Sequence, residues 1–211
     1  SELSLYRSGQ VLFCYIHCET RPDLTRMLLE RRLTGLAYEN VQSAAGDRPL
    51  LRPMSVIAGH QSVLQGMQFL CNHRGGTGRS LVAYPGLSPA VVVIVGAGHA
   101  GQAAARVAAA LGARVMLFEV DPERICRLGA CLPAGVTLCH TGSVPLDEWA
   151  AQADLLIHTT TLPPNAPHKL IDRQVLRRMR PGSVIVDVTA NLHGAIETVD
   201  RYTTHDDPVY V

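Results

Sequence analysis

The segment that most restricts the fold of this chain is an apolar run, Val91-Val92-Val93-Ile94-Val95, that passes directly into Gly96-Ala97-Gly98-His99-Ala100-Gly101. Five β-branched residues in a row favour a strand, and the alanine-rich stretch through Leu111 favours a helix, so the glycines occupy the turn between them. Gly96 permits the tight turn, Gly98 lets a pyrophosphate approach the main chain with no β-carbon in the way, and Gly101 lets helix and strand pack closely. Free amides in the first helical turn, together with the helix dipole, then favour an anion. G-x-G-x-x-G spacing is weak evidence by itself; its place between strand and helix gives it meaning. Gly96, Gly98, His99, Ala100 and Gly101 are therefore the expected dinucleotide-binding turn.

The next apolar run, Val115 to Phe118, ends at Glu119, eighteen residues beyond Gly101. That is close to the spacing at which an acid takes ribose hydroxyls, and its charge repels a 2′-phosphate, so NAD(H) is expected over NADP(H). Asp121 and Pro122 read as an N-cap followed by proline at the first helical position.

From Ala90 onward short apolar runs alternate with helical patterns. Strands are expected at Val91 to Val95, Arg114 to Glu119, Val136 to Cys139, Leu155 to His158 and Ser183 to Val188, with helices at His99 to Leu111, Pro122 to Leu128, Leu146 to Ala151 and Asp172 to Met179. Strands of this kind separated by helices predict an α/β fold, a Rossmann-type doubly wound parallel sheet covered on both faces. Ahead of it, Val11 to Ile16, Asp23 to Arg32 and Thr34 to Tyr38 read as strand, helix and strand, part of a second α/β domain. A turn-rich stretch to Pro53 precedes a helical pattern over about 54–71. The expected division is 1–52 for a partial substrate domain and 53–211 for the nucleotide domain, with the nicotinamide end in a cleft between them.

Charge and composition narrow the function classes. Nineteen Lys+Arg against eighteen Asp+Glu leave a net +1, too little field to gather nucleic acid or anionic lipid. The longest clean apolar run, Ala90 to Val95, is far short of the roughly 20 residues of a membrane-spanning helix, and the first residues show no basic stretch followed by an apolar core and cleavage site. A cytoplasmic protein without nucleic-acid or membrane partners is expected. The six cysteines lie mostly among apolar neighbours without C-x-x-C pairing, which predicts buried reduced thiols and no metal centre. Arg177, Arg178 and Arg180 read as a solvated helix C-terminus.

Several further blocks, in order, resemble the alanine dehydrogenase and pyridine nucleotide transhydrogenase NAD-binding family, with the alanine dehydrogenase branch the nearer. They are residues 9–17 (GQVLFCYIH), 37–42 (AYENVQ), 53–59 (PMSVIAG), 181–187 (PGSVIVD) and 203–208 (TTHDDP), with the glycine motif among them. The resemblance implies NAD as cofactor, a small-molecule substrate, homo-oligomers, and reversible oxidative deamination of an L-amino acid to a 2-oxo acid and ammonia. By it, His17 matches the active-site histidine. Ser55 and Met54 match a block near the pyrophosphate, and Thr160, Thr161 and Leu162 match the loop bordering the nicotinamide ribose. It further implies additional residues at both ends, the leading segment carrying the Arg and Lys that hold the substrate carboxylate and carbonyl.

Three departures bear on the chemistry. Asn191 stands where alanine dehydrogenases place an aspartate, and an amide positions a substrate without taking its proton near neutral pH. Leu192-His193-Gly194 replaces Gln-Gly-Gly, and Val56 stands where relatives often have an acid. The expected function is an NAD-dependent amino-acid oxidoreductase with His17 in acid/base work, Asn191 in polar positioning and the substrate open to alteration. A catalytically silent or transhydrogenase-like dinucleotide module, and an imine or opine-type reductase, are the alternatives.

Overall fold

A computed structural model describes residues 2–160, 169–189, 195–201, 203–204 and 206–211. The chain divides into two compact units, Ser1–Ser55 and Val56–Val211.

In the first unit β1 (Val11–Cys14) and β2 (Thr34–Ala37) pair in parallel, with Val11 opposite Thr34 and Cys14 opposite Ala37. The crossover is α1 (Pro22–Glu30), entered through Pro22, whose missing N–H costs nothing at a first helical position. Its buried face, Leu24, Met27 and Leu28, packs with Leu12 and Ile16 into a small core. Both strands are shorter than the sequence pattern suggests, and much of each is exposed.

A long helix, α2 (Arg52–Leu70), leads into the second unit. Its five strands are β3 (Val91–Val95), β4 (Arg114–Glu119), β5 (Val136–His140), β6 (Leu155–His158) and β7 (Val184–Asp187), joined by α3 (His99–Leu111), α4 (Pro122–Leu128), α5 (Leu146–Gln152) and α6 (Arg173–Leu176). All pair in parallel in the order β5-β4-β3-β6-β7, so the winding direction reverses between β3 and β6. Alternate residues of each strand feed opposite layers. Val92, Ile94, Val115, Leu117, Leu155 and Ile157 pack with Ala104, Ala105 and Ala108 of α3 and Val63 and Leu70 of α2. Val93, Val95, Met116, Phe118 and Leu156 pack with Ala150, Ala153, Ile171 and Val175 on the other side. Burial of both faces explains why these strands read as unbroken apolar runs, and the arrangement is the doubly wound Rossmann type. None of the described helices is long and apolar enough to cross a membrane.

Asp121 caps α4 by accepting the Glu123 N–H at 2.9 Å, as its sequence position predicts. Two expectations need correction. Cys14, Cys18, Cys126 and Cys131 are exposed and Cys71 is half-buried, leaving only Cys139 buried. Apolar neighbours in sequence did not secure burial because β1 belongs to a two-stranded sheet and α4 is a short surface helix with no buried residue. Arg180 is more than a solvated helix end, since its Nη1 reaches the fully buried Asp154 Oδ1 at 2.9 Å.

Candidate functional site

In an open parallel sheet, ligands bind beyond the C-terminal strand ends where the winding reverses. Here that point lies between the tips of β3 and β6. Gly96 follows β3 with φ +101°, a left-handed conformation that glycine alone adopts without strain. The turn is sewn to the neighbouring strand: the Thr159 N–H donates to Val95 O at 2.9 Å, and Thr159 Oγ1 donates to Val95 O and Gly96 O at 3.1 and 3.0 Å.

The other two glycines differ in what replaces their missing side chains. A Cβ on Gly101 would lie 1.8 Å from Gly96 O, so the start of α3 touches the turn and no larger residue fits. A Cβ on Gly98, where φ is −70°, would meet no atom within 4 Å. Neither strain nor crowding within the chain requires glycine there. The feature fits a ligand that approaches the backbone at that point, as a pyrophosphate does at a helix N-terminus.

Glu119 ends β4, the strand beside β3, and is 4 % exposed. Its Oε2 accepts from Ala97 N–H at 3.2 Å and from Arg124 Nη1 at 3.0 Å, while Oε1 accepts from the Val120 and Asp121 N–H groups at 2.8 and 3.1 Å. The carboxylate thus grips the glycine turn itself. Burial pushes its pKa up, but the Asp121 and Val120 amides and the Arg124 guanidinium outweigh that and hold it below the usual glutamate value. Asp187 and Glu39 are also held below their usual values, against the opposing effect of burial, by the hydrogen bonds described below.

A carboxyl lowered on folding contributes stability fully present above its unfolded value, 4.5 for Glu and 3.8 for Asp, and lost as pH falls through the folded value. Unfolding free energy is therefore expected to be insensitive to these groups above about pH 5 and to fall below it. Glu119→Gln flattens that acid limb; equal limbs in parent and variant would show that Glu119 carries none of it.

A second cluster closes the β6 and β7 ends. His158, 1 % exposed, pairs in register with Asp187, and its Nδ1 lies 3.1 Å from Asp187 Oδ1. Its Nε2 lies 2.6 Å from Thr160 Oγ1. Asp187 Oδ1 also accepts from Thr189 N–H and Oγ1 at 2.9 and 2.7 Å. Thr160, half-buried, rests its methyl against the turn, 2.5 Å from where a Cβ on Gly96 would lie.

In the first unit His17 follows β1 with φ +50°. A non-glycine residue in this region needs support. Glu39, 9 % exposed just after β2, supplies it by accepting the His17 N–H at 2.7 Å and the Ile16 N–H at 3.3 Å. The imidazole lies parallel to the Tyr15 ring at 6.1 Å between centroids, and its Nδ1 is 3.5 Å from Glu19 Oε1. Ser55 lies in the first turn of α2, its hydroxyl donating to Leu51 O at 3.3 Å.

Of the expected site residues, Gly96, Gly98, Gly101, Glu119 and Thr160 gather around one strand-end turn, with His99 and Ala100 opening α3 beside them. His17 and Ser55 belong to the first unit. Thr161, Leu162 and Asn191 lie outside the described residues, as does His193. Sequence reasoning assigned no role to Glu39, Thr159, His158 or Asp187. The available signal was a polar residue closing an apolar strand, Leu155-Leu156-Ile157-His158 and Val184-Ile185-Val186-Asp187.

Comparison with known proteins gives a consistent result. Residues 1–58 match the N-terminal domain, and residues 62–211 the C-terminal domain, described as alanine dehydrogenase/PNT. An alanine dehydrogenase of Methanococcus maripaludis is 43% identical over 210 residues, covering 100% of this chain and 56% of the relative. One from Geobacillus stearothermophilus is 40% identical over 210 residues with the same coverage, 100% and 56%. Among solved structures, an L-alanine dehydrogenase superposes with a TM-score of 0.89 at 38% identity, covering 100% of this chain and 58% of that one. A transhydrogenase from Sinorhizobium meliloti does so at 0.73 and 26%, covering 93% and 57%. The chain spans 56% of the length of these curated relatives.

Proposed function

The chain belongs to the alanine dehydrogenase/PNT family, and from that premise we propose that it is the NAD-binding portion, with part of the substrate domain, of an NAD-dependent amino-acid oxidoreductase. The observation that carries this reading is Gly98, where the backbone is unstrained and a side chain would meet nothing in the protein. A pyrophosphate over the Gly96 to Gly101 turn accounts for it. Glu119, at the tip of the adjacent strand, takes the adenosine ribose hydroxyls by exchanging its outermost partner, Arg124, whose side chain is 43 % exposed. Thr160 and the following Thr161 and Leu162 border the nicotinamide half, and Ser55 serves the pyrophosphate.

NAD held over the Gly96 to Gly101 turn would supply the hydride acceptor for oxidising an amino acid at its α-carbon, with water providing the oxygen of the 2-oxo acid and ammonia leaving. The chain's part is orientation and proton traffic. His17, with Nδ1 beside Glu19, exchanges a proton through Nε2, while Glu39 fixes the backbone that aims the ring. Asn191 positions the substrate or water by hydrogen bonding. We further read the protein as cytoplasmic and homo-oligomeric, with residues 1–52 belonging to the substrate domain.

The test is NADH formation from L-alanine and a panel of amino acids by the native full-length protein. His17→Asn is expected to lower kcat about a hundredfold with NADH affinity unchanged. NAD binding without turnover of any amino acid would favour the transhydrogenase-like module instead, a reading for which Asn191 in place of an acid is the specific support.

A further inference from the structure

We propose that His158, held by Asp187, is a positioning residue that presents the Thr160 hydroxyl oxygen as an obligate hydrogen-bond acceptor to the nicotinamide-nucleoside half of the dinucleotide. The proposal rests on the NAD-binding reading and adds a group that sets the polarity of one contact.

β6 is apolar and fully buried through Leu155, Leu156 and Ile157, then places an imidazole of 1 % exposure at its tip. A core histidine needs only to have its two nitrogens satisfied. Here one nitrogen meets a carboxylate, and the other meets a hydroxyl on the loop that borders the glycine turn. Asp187 has a 6 % exposed side chain, and its Oδ1 gathers the His158 Nδ1 and both Thr189 donors. The hydrogen bonds from His158 and Thr189 outweigh burial and keep this carboxyl ionised at neutral pH.

An ionised carboxylate accepts only, so the hydrogen lies on Nδ1. In the Nδ1–H tautomer that we assign to His158, Nε2 is a bare lone pair, and the Thr160 hydroxyl donates to it across the 2.6 Å contact. The hydroxyl hydrogen is thereby committed. What Oγ1 can still offer is its remaining lone-pair capacity, and it selects a ligand N–H or O–H.

Position makes this relevant to the dinucleotide. Thr159 is tied to Val95 and Gly96 through its amide and hydroxyl, and the Thr160 methyl lies against Gly96. The oriented oxygen therefore sits on the β6 side of the switch point, across from the Glu119 side where the adenosine ribose is read. Two donors in the nicotinamide half share the required chemistry, the carboxamide N–H and the ribose hydroxyls.

The test is equilibrium titration of the full chain with NADH, ADP and reduced 3-acetylpyridine adenine dinucleotide. Thr160→Val removes the acceptor. His158→Asn keeps an amide donor toward Asp187 but has no atom where Nε2 stood. Each is expected to weaken NADH binding about tenfold and leave ADP binding unchanged, because the adenosine half does not reach Thr160. The double variant binds no more weakly than Thr160→Val alone, and Thr160→Ser recovers most of the loss. The acetylpyridine analogue lacks the amide N–H, so the Thr160→Val penalty vanishes with it if the donor is the carboxamide and persists if it is a ribose hydroxyl.

Parent-like NADH affinity in Thr160→Val overturns the proposal, as do losses that multiply in the double variant. Should His158→Asn fail to fold, the Thr160 pair decides alone. A parent chain that binds neither NADH nor ADP defeats the NAD reading itself, an outcome distinct from a parent that binds both beside an indifferent Thr160→Val.

Discussion

Gly98→Ala is expected to weaken NADH binding by at least about a hundredfold, a loss of about 2.7 kcal/mol or more, with less than about 1 kcal/mol of lost fold stability. The native φ of −70° suits alanine, and the added methyl meets nothing of the protein, so only the modest preference for glycine over alanine at an N-cap opposes it. The methyl would project into the space through which a pyrophosphate reaches the helix amides. Gly101→Ala provides the contrast. Its Cβ would fall 1.8 Å from Gly96 O in the turn and 3.0 Å from Thr159 Oγ1, which is hydrogen-bonded to that turn from the end of β6, and the expected cost is about 2–3 kcal/mol of stability. Urea unfolding and NADH titration of the two variants separate these effects. A Gly98→Ala chain that binds NADH like the parent would show that the glycine serves no ligand.

That contrast was half visible in the sequence. Strand, glycine turn, helix, strand and closing acid follow one another within thirty residues, from Val91 to Glu119, and local propensities agree throughout. The structure reproduces β3 and β4 with the same bounds. Spacing, however, could not say that Glu119 turns back to hold the Ala97 amide, because it carries no side-chain direction. The His158 and Asp187 pair was hidden for a different reason. The two residues are 29 positions apart, and they meet only because β6 and β7 are sheet neighbours with those residues in register. Glu39 and His17 meet likewise across the β1 and β2 ends. Expected helix Asp172 to Met179 shortens to Arg173–Leu176 because the Arg178 and Met179 amides bond three residues back, tightening the chain ahead of Pro181. Boundaries of this kind depend on the last turn's geometry, to which hydrophobic periodicity is insensitive.

The second large effect lies at the opposite end of the strands. Asp154, fully buried just before β6, accepts from Val91 N–H at 2.8 Å and Arg79 Nε at 3.2 Å through Oδ2, and from Arg180 Nη1 at 2.9 Å through Oδ1. Its own amide donates to Val91 O, and its carbonyl accepts from Val184 N–H. One residue thus fastens the starts of β3, β6 and β7 together, and Arg79 extends the tie to Ser88 O and Pro89 O. Asp154→Ala strips the carboxylate from two guanidinium groups and a strand amide. Both arginines retain access to water, at 34 % and 52 % exposure, so the low end of the roughly 3–5 kcal/mol cost of breaking a buried pair is expected. Against a total of about 5–15 kcal/mol, that is a substantial share of the domain's stability. Arg79→Ala and Arg180→Ala should each cost less, because Asp154 keeps two of its three partners. A urea-derived unfolding free energy for Asp154→Ala within about 1 kcal/mol of the parent's would show that the carboxylate is not what fastens these strands. The variant also separates support from chemistry. Val91 and Val95 are about 13 Å apart along β3, so at low temperature the folded fraction of Asp154→Ala should bind NADH with parental affinity. Weakened binding under those conditions would mean that the strand starts control the glycine turn, and that the crevice is held open from below as well as by Glu119 and Thr159 at its rim.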